Sequence, residues 1–175
     1  MKKIISALTV LTLALSLCGC GAKAKDEAQP VGMPNPLTEV TAQELLEKTG
    51  FHFNTPDGAE DIHYFTLEAE TLTAQMTFKV DGKKVTVRAI PDGIPENRVV
   101  RDISGMYYEW KTVENGPVFY NDATFKLNEG EQGWVGWYDY VPGITYNVSM
   151  DSGASVAELT RLAEICCPPV QGDVG

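Results

Sequence analysis

Two cysteines stand side by side near the end of the chain, Cys166-Cys167. A thiol pair suggests redox work or a soft-metal site. Adjacent cysteines bridge poorly, because disulfide geometry resists the small ring they would close. Neither a C-x-x-C spacing nor further His and Cys ligands accompany them. The preferred reading packs Cys166 into an apolar helix stripe with Cys167 near the helix end; an outward thiol would instead be free to bridge another molecule. His52 and His63 are the only histidines. A nucleophile pair such as Cys167 with His63 would have to form across space, and no G-x-S-x-G or S-x-x-K signature supports one. His63 alternates with Tyr64 in a strand pattern and reads as a surface or edge residue. Asn54, Asp57, Glu60 and Asp61 crowd one loop and offer hard oxygen ligands. The order of a calcium-binding loop is absent, and Pro56-Asp57-Gly58 reads as a turn. Glu109 and Asp139 would suit two-carboxylate glycoside chemistry, but chance pairs are expected among 24 acids. The reading expects no catalytic residue, no metal and no cofactor.

The aromatics carry the clearer signal. Tyr107, Tyr108, Trp110, Trp134, Trp137, Tyr138 and Tyr140 cluster in one stretch. Aromatic platforms stack sugars or peptides; the competing and preferred reading makes these rings core and cross-strand pairs of a central sheet. If they bind, the candidates are Trp110, Trp134, Trp137 and Tyr138.

These residues need elements to position them. Thr41-Ala-Gln-Glu44 is a capping box, and Gly50 suits a left-handed stop, so a helix is expected over 41–49. Ser155-Val-Ala-Glu158 opens a second helix with a stripe of Val156, Leu159, Leu162, Ala163 and Cys166, stopped by Pro168-Pro169. Between the helices the period is two. Leu72, Ala74, Met76, Phe78 and Val80 alternate with polar residues up to Asp81-Gly82, a strong hairpin signal. A two-residue turn there pairs Phe78 with Val85, Met76 with Val87 and Ala74 with Ala89 on one apolar face. Further strands are expected over 62–68, 105–113, 118–127, 134–141 and 144–150, with turns at Asn115-Gly116 and Pro142-Gly143. Alternation in 144–150 predicts one wet face. Bulk on both sides of 105–113 and 134–141 predicts strands covered on both faces. The fold class is α+β: an antiparallel, largely meandering sheet of about six to seven strands with N- and C-terminal helices packed on it.

Size and charge bound the rest. At 175 residues the chain suits one domain plus ends and buries enough surface to fold without disulfides or metal. A net charge of −10 disfavours nucleic acid as a partner. Residues 37–168 are expected to hold the globular domain, residues 20–36 a flexible linker and residues 169–175 a frayed tail.

Residues 1–19 stand apart. Lys2 and Lys3 precede an apolar run from Ile4 to Leu17, the length of a signal core and short for a membrane span. The run ends in Leu17-Cys18-Gly19-Cys20, which resembles a bacterial lipoprotein signal with Cys20 as the lipidated residue. The resemblance implies removal of 1–19 and a lipid anchor on Cys20 at the extracytoplasmic face of the cell membrane. Loss of Lys2 and Lys3 takes the charge from −10 to −12. Farther on, Asp102-Ile-Ser-Gly-Met-Tyr-Tyr-Glu-Trp110, Gly136-Trp-Tyr-x-Tyr140, the turn at Gly143, Tyr146-x-Val148 and the helix with Leu159, Leu162 and Ala163 resemble uncharacterised extracytoplasmic domains of Gram-positive bacteria. These are the DUF4367-like group, attached to anti-sigma and sporulation-associated membrane proteins. The resemblance implies no catalytic residues, and a chain with an acyl anchor and no cytoplasmic part could not itself carry a signal inward. The expected role is a non-enzymatic binding or regulatory module for a protein, peptide or envelope ligand. The alternatives are a cell-wall-acting hydrolase and a sensor or chaperone component holding an apolar ligand.

Overall fold

A computed structural model describes residues 37–68, 71–91 and 100–169. The expected signal, Cys20, the expected linker and residues 170–175 of the expected tail lie outside these residues. The order is β1 (Leu37–Val40), α1 (Ala42–Thr49), β2 (Glu60–Leu67), β3 (Thr73–Val80), β4 (Lys83–Ile90), β5 (Thr112–Val118), β6 (Asn121–Leu127), β7 (Gly133–Asp139), β8 (Ile144–Met150) and α2 (Val156–Cys166). The eight strands form one antiparallel sheet in the order β1-β2-β3-β4-β8-β7-β6-β5. It is two meanders joined where β8 returns beside β4. The sheet has eight strands rather than six or seven, because the short edge strand β1 pairs along β2 from Leu37 opposite Leu67 to Val40 opposite Tyr64. Four residues are too few for a period-two signal.

The hairpin register is the expected one: Ala74 opposes Ala89, Met76 opposes Val87 and Phe78 opposes Val85. Asp81 and Gly82 turn the chain at φ 50° and 72°, the left-handed pair that a two-residue hairpin of this twist requires. Both helices cover the same face. α1 starts on a reciprocal capping box between Thr41 and Glu44 and stops on Gly50 at φ 75°. In α2 only half of the expected box forms. Ser155 accepts from the Glu158 amide, but the Glu158 carboxylate takes two bonds from Arg161. The buried stripe of α2 is Leu159, Leu162, Ala163 and Cys166. Beneath the helices lies the core, with Met76, Phe78, Val85, Val87, Phe125, Val135, Trp137, Val148 and Met150 sealed from water.

Three strand expectations are corrected. Residues 105–111 are not strand; β5 begins at Thr112. Asp102 Oδ1 accepts from the Ser104 amide and hydroxyl, Ser104 Oγ accepts from the Met106 amide, and Gly105 sits at φ 68°. Such local side-chain bonds replace a ladder. Asn115-Gly116 is not a turn. Both residues lie inside β5 opposite Thr124 and Ala123, and a Cβ on Gly116 would touch the Phe125 ring at 3.4 Å. Pairing with β6 holds both residues extended, and the chain turns at Phe119-Tyr120, where Phe119 takes φ 52°. Finally, β8 has no wet face: all seven of its residues are buried. β7 is buried throughout, as its bulk on both sides predicted. Phe78→Ala is expected to lower the unfolding free energy by about 3–5 kcal/mol in a denaturant titration; a loss below about 1 kcal/mol would contradict a sealed core on the helix side.

Candidate functional site

The face without helices has a polar floor. Gln75, Arg88, Asn147, Gly136 and Thr124 are successive cross-strand partners from β3 to β6. Beside that row run Thr86, Ser149, Trp134 and Lys126, and on its other side Ile90, Thr145 and Tyr138. Directly opposed residues share a face, so the floor follows from register alone.

Residues 100–111 form a strap over it. A Cβ on Gly136 would meet Val100 Cγ1 at 3.2 Å and the Trp134 ring at 2.9 Å. The strap reaches Arg88, whose Nη1 donates to the Ile103 carbonyl at 2.7 Å. Gly105 packs so closely on that guanidinium that a Cβ would stand 2.6 Å from Nη1. The strap then returns to β7, where Trp110 meets Trp134 edge to face at 6.3 Å, Tyr108 Oη accepts from Gln132 Nε2 and the Lys111 amide donates to the Leu127 carbonyl. Ile103 and Ser104 are the strap's own buried residues.

Arg88 is the half-buried cation of this floor. Its Nε donates to Gln75 Oε1 at 2.8 Å, so both acceptors it holds are neutral oxygens. Burial pushes the guanidinium below its ordinary value, with Tyr107 and Asp102 partly offsetting the effect. Among the described residues no ion pair joins it to a carboxylate. Its cross-strand neighbour Asn147 is 1 % exposed, yet neither Oδ1 nor Nδ2 has a hydrogen-bond partner. Thr145 Oγ1 and Trp134 Nε1 are equally buried and unpartnered. Each such atom costs about 1–3 kcal/mol to leave unsatisfied, so four on one face form an energetically expensive arrangement.

The four candidate aromatics divide between the faces. Trp137 lies on the helix side, stacked on Tyr146 at 5.2 Å and 18°, and is core. Trp134, Tyr138 and the partly buried Trp110 lie on the strap side. Trp134 is 1 % exposed, with Lys126 Nζ 5.0 Å from its ring centre. Tyr138 packs edge to face on the half-exposed Tyr140 at 4.8 Å. Those two tyrosines, with Val100, Asn115, Asp122 and Thr124, line a cleft of about 650 Å3.

Of the other pairings, Cys167 with His63 and Glu109 with Asp139 are not assembled: His63 opposes Thr77 on the face away from the helices, whereas Cys167 is in the helix-side core. His52 is exposed beside α1, whereas His63 sits at the β1–β2 edge, 2.7 Å from Glu39 Oε1. Asp57-Gly58 is a turn with Gly58 at φ 76°, and Asp61 pairs with Lys79 at 2.8 Å. Glu109 is exposed next to Trp110, near the start of β7. Asp139 is buried at the other end of that strand, roughly 17 Å away along it, accepting from the Val141 amide. Among the described residues no group of three or more His, Cys, Asp or Glu could hold a metal ion. No helix among them is long and apolar enough to cross a membrane.

Arg88, Gln75, Thr145 and Asn147 escape sequence reasoning. Their signal was the polar half of a period-two strand, which normally means water. No family model, curated protein or solved structure matches this chain.

Cys166 and Cys167 are both buried free thiols on the helix side. Burial pushes the Cys166 thiol up to about 12, against a small opposing pull from Arg161, and pushes Cys167 well above its ordinary value. The thiolate is the nucleophile, so at pH 8 neither is expected to react with a disulfide dye in the native protein, while both react in denaturant. Rapid labelling of the folded protein would contradict this placement.

Proposed function

We propose that this chain is a lipid-anchored extracytoplasmic module that works by binding a protein, peptide or envelope ligand rather than by catalysis. The observation that carries the binding half is the strap-covered polar face. A half-buried guanidinium that no carboxylate pairs among the described residues, and four buried unpartnered polar atoms, cost stability, and such costs persist where they serve recognition. The cleft at Tyr138 and Tyr140 beside it adds an aromatic wall of the kind that binding sites use.

The anchor half rests on Leu17-Cys18-Gly19-Cys20. Several acyl chains at about 0.8 kcal/mol per buried methylene hold stably where one chain does not. A body at −12 is repelled by an anionic bilayer surface. Residues 21–36 would then act as a spacer of roughly 22 Å as a coil and about 50 Å when extended. The resemblance to the DUF4367-like group belongs to the same reading and would make the role one of regulation at the cell surface.

The rival readings have less support. The tryptophans that would line an apolar-ligand cavity pack on Tyr146 and on one another. His63 does meet a carboxylate, Glu39 at 2.7 Å, and lines a shallow cleft with Asp61, but the His63–Glu39 pair is solvent-exposed at the sheet edge and Asp61 is spent on Lys79.

Cys20→Ala is expected to move the chain from the membrane fraction to the medium, with an unchanged circular dichroism spectrum. Retention of the variant on the membrane would remove the anchor from this reading.

A further inference from the structure

We propose that the floor around Arg88 and Asn147, beneath residues 100–106, is a binding site for a peptide C-terminus, its free carboxylate on Arg88 and its last amide on Asn147. This rests on the binding-module reading above and names the ligand class of that site.

The floor lacks partners for several of its buried polar groups. The unused groups are the Asn147 Nδ2 and Oδ1, the Thr145 hydroxyl and the Trp134 indole N–H. Beside them, Arg88 bonds only through Nε and Nη1. Donors therefore outnumber acceptors, and the fixed charge is positive. A complementary ligand is an anion that also carries an N–H. One guanidinium matches one carboxylate, in a bidentate geometry that is planar and charge-assisted. A primary amide side chain offers one acceptor and two donors at adjacent atoms, the complement of the N–H and C=O of a peptide group. Asn147 and Arg88 are direct cross-strand partners, about 5 Å apart at the backbone. That spacing lets a terminal carboxylate and the amide preceding it meet both side chains.

The strap supplies the stand-in. The Ile103 carbonyl occupies Arg88 Nη1, a neutral oxygen where a carboxylate would bind more strongly. Residues 102–106 hold themselves by local turns through Asp102 and Ser104 rather than by sheet bonds. Gly105 at φ 68° gives them a backbone with no side chain over the guanidinium. Exchange of the Ile103 carbonyl for a ligand carboxylate thus breaks one neutral bond and makes charge-assisted ones.

The test uses the full-length chain, 15N-labelled, in detergent. Two probes are titrated: N-acetyl-Ala-Ala with a free carboxylate, and the same dipeptide with a C-terminal amide. The free acid is expected to shift the Trp134 indole and Asn147 side-chain N–H signals saturably, and the amide to bind about 30-fold more weakly, as loss of a charge-assisted bidentate bond implies. Arg88→Gln is expected to weaken the acid to the level of the amide. Asn147→Leu removes two unpartnered polar atoms, so it is expected to abolish binding while holding or raising the melting temperature. Thr145→Val, nearly isosteric, is expected to weaken binding several-fold without loss of stability, and serves if the leucine variant does not fold. Equal binding of acid and amide, no saturable shift at millimolar acid, or a melting temperature lowered by both substitutions would overturn the assignment; the last would mean that ordered water already satisfies these groups. A chain that leaves the membrane on Cys20→Ala yet ignores the free acid overturns this ligand assignment alone. One that stays on the membrane overturns the anchor alone, whatever the peptide does.

Discussion

β8 lies in the middle of the sheet, hydrogen-bonded to β4 on one side and β7 on the other, and both of its faces are closed to water. An antiparallel sheet can leave one face solvated. Here the second face cannot be solvated, because the strap covers it, and it cannot be apolar, because Thr145, Asn147 and Ser149 project from it. The rest of the architecture answers that constraint. Helices seal the face of Ile144, Tyr146, Val148 and Met150 by ordinary hydrophobic packing. The strap closes the other face through a few polar and ring contacts, and leaves several polar groups without partners.

The two faces therefore differ in chemistry. On the helix side, burial makes reactive groups inert. The thiols of Cys166 and Cys167 stay protonated, and the Tyr146 hydroxyl, stacked under Trp137, is held well above its usual value by desolvation. On the strap side, burial raises the worth of every polar group, since an unpaired donor in a low dielectric gains most when a partner arrives. The cation at Arg88 and the amide at Asn147 belong to that side.

The edges of the sheet are unsuited to further pairing. β1 is four residues long. β5 carries the exposed Glu114 and Pro117, and a proline on an edge strand withholds one donor from any added strand. Strand addition at either margin is accordingly disfavoured.

Much of the scaffold was legible in the residues. Both helices, the full cap of α1 and the Ser155 half of the α2 cap, the Asp81-Gly82 hairpin with its three apolar pairs, and the two-sided burial of β7 follow from local rules with a single physical cause each: hydrophobic period, cap chemistry or left-handed turn residues. The failures share a cause as well. Asn115-Gly116 carries a turn signal that pairing against β6 overrides. Residues 105–111 have strand-like composition, but Asp102 and Ser104 spend the local hydrogen bonds on turns. Of the aromatic candidates, the sequence could group Trp134 with Tyr138 and separate both from Trp137; it could not say which group met the helices.

By itself, then, the sequence determined the α+β class, the apolar face, the inert setting of Cys166 and the lipobox-like segment ending at Cys20, because each depends on neighbours a few residues away. Only the tertiary structure decided that the polar face is roofed, and that Gln75, Arg88 and Asn147 stand in one row. Those facts depend on β8 returning beside β4 and on a strap crossing three strands, and strand order and long-range cover leave no mark on local periodicity.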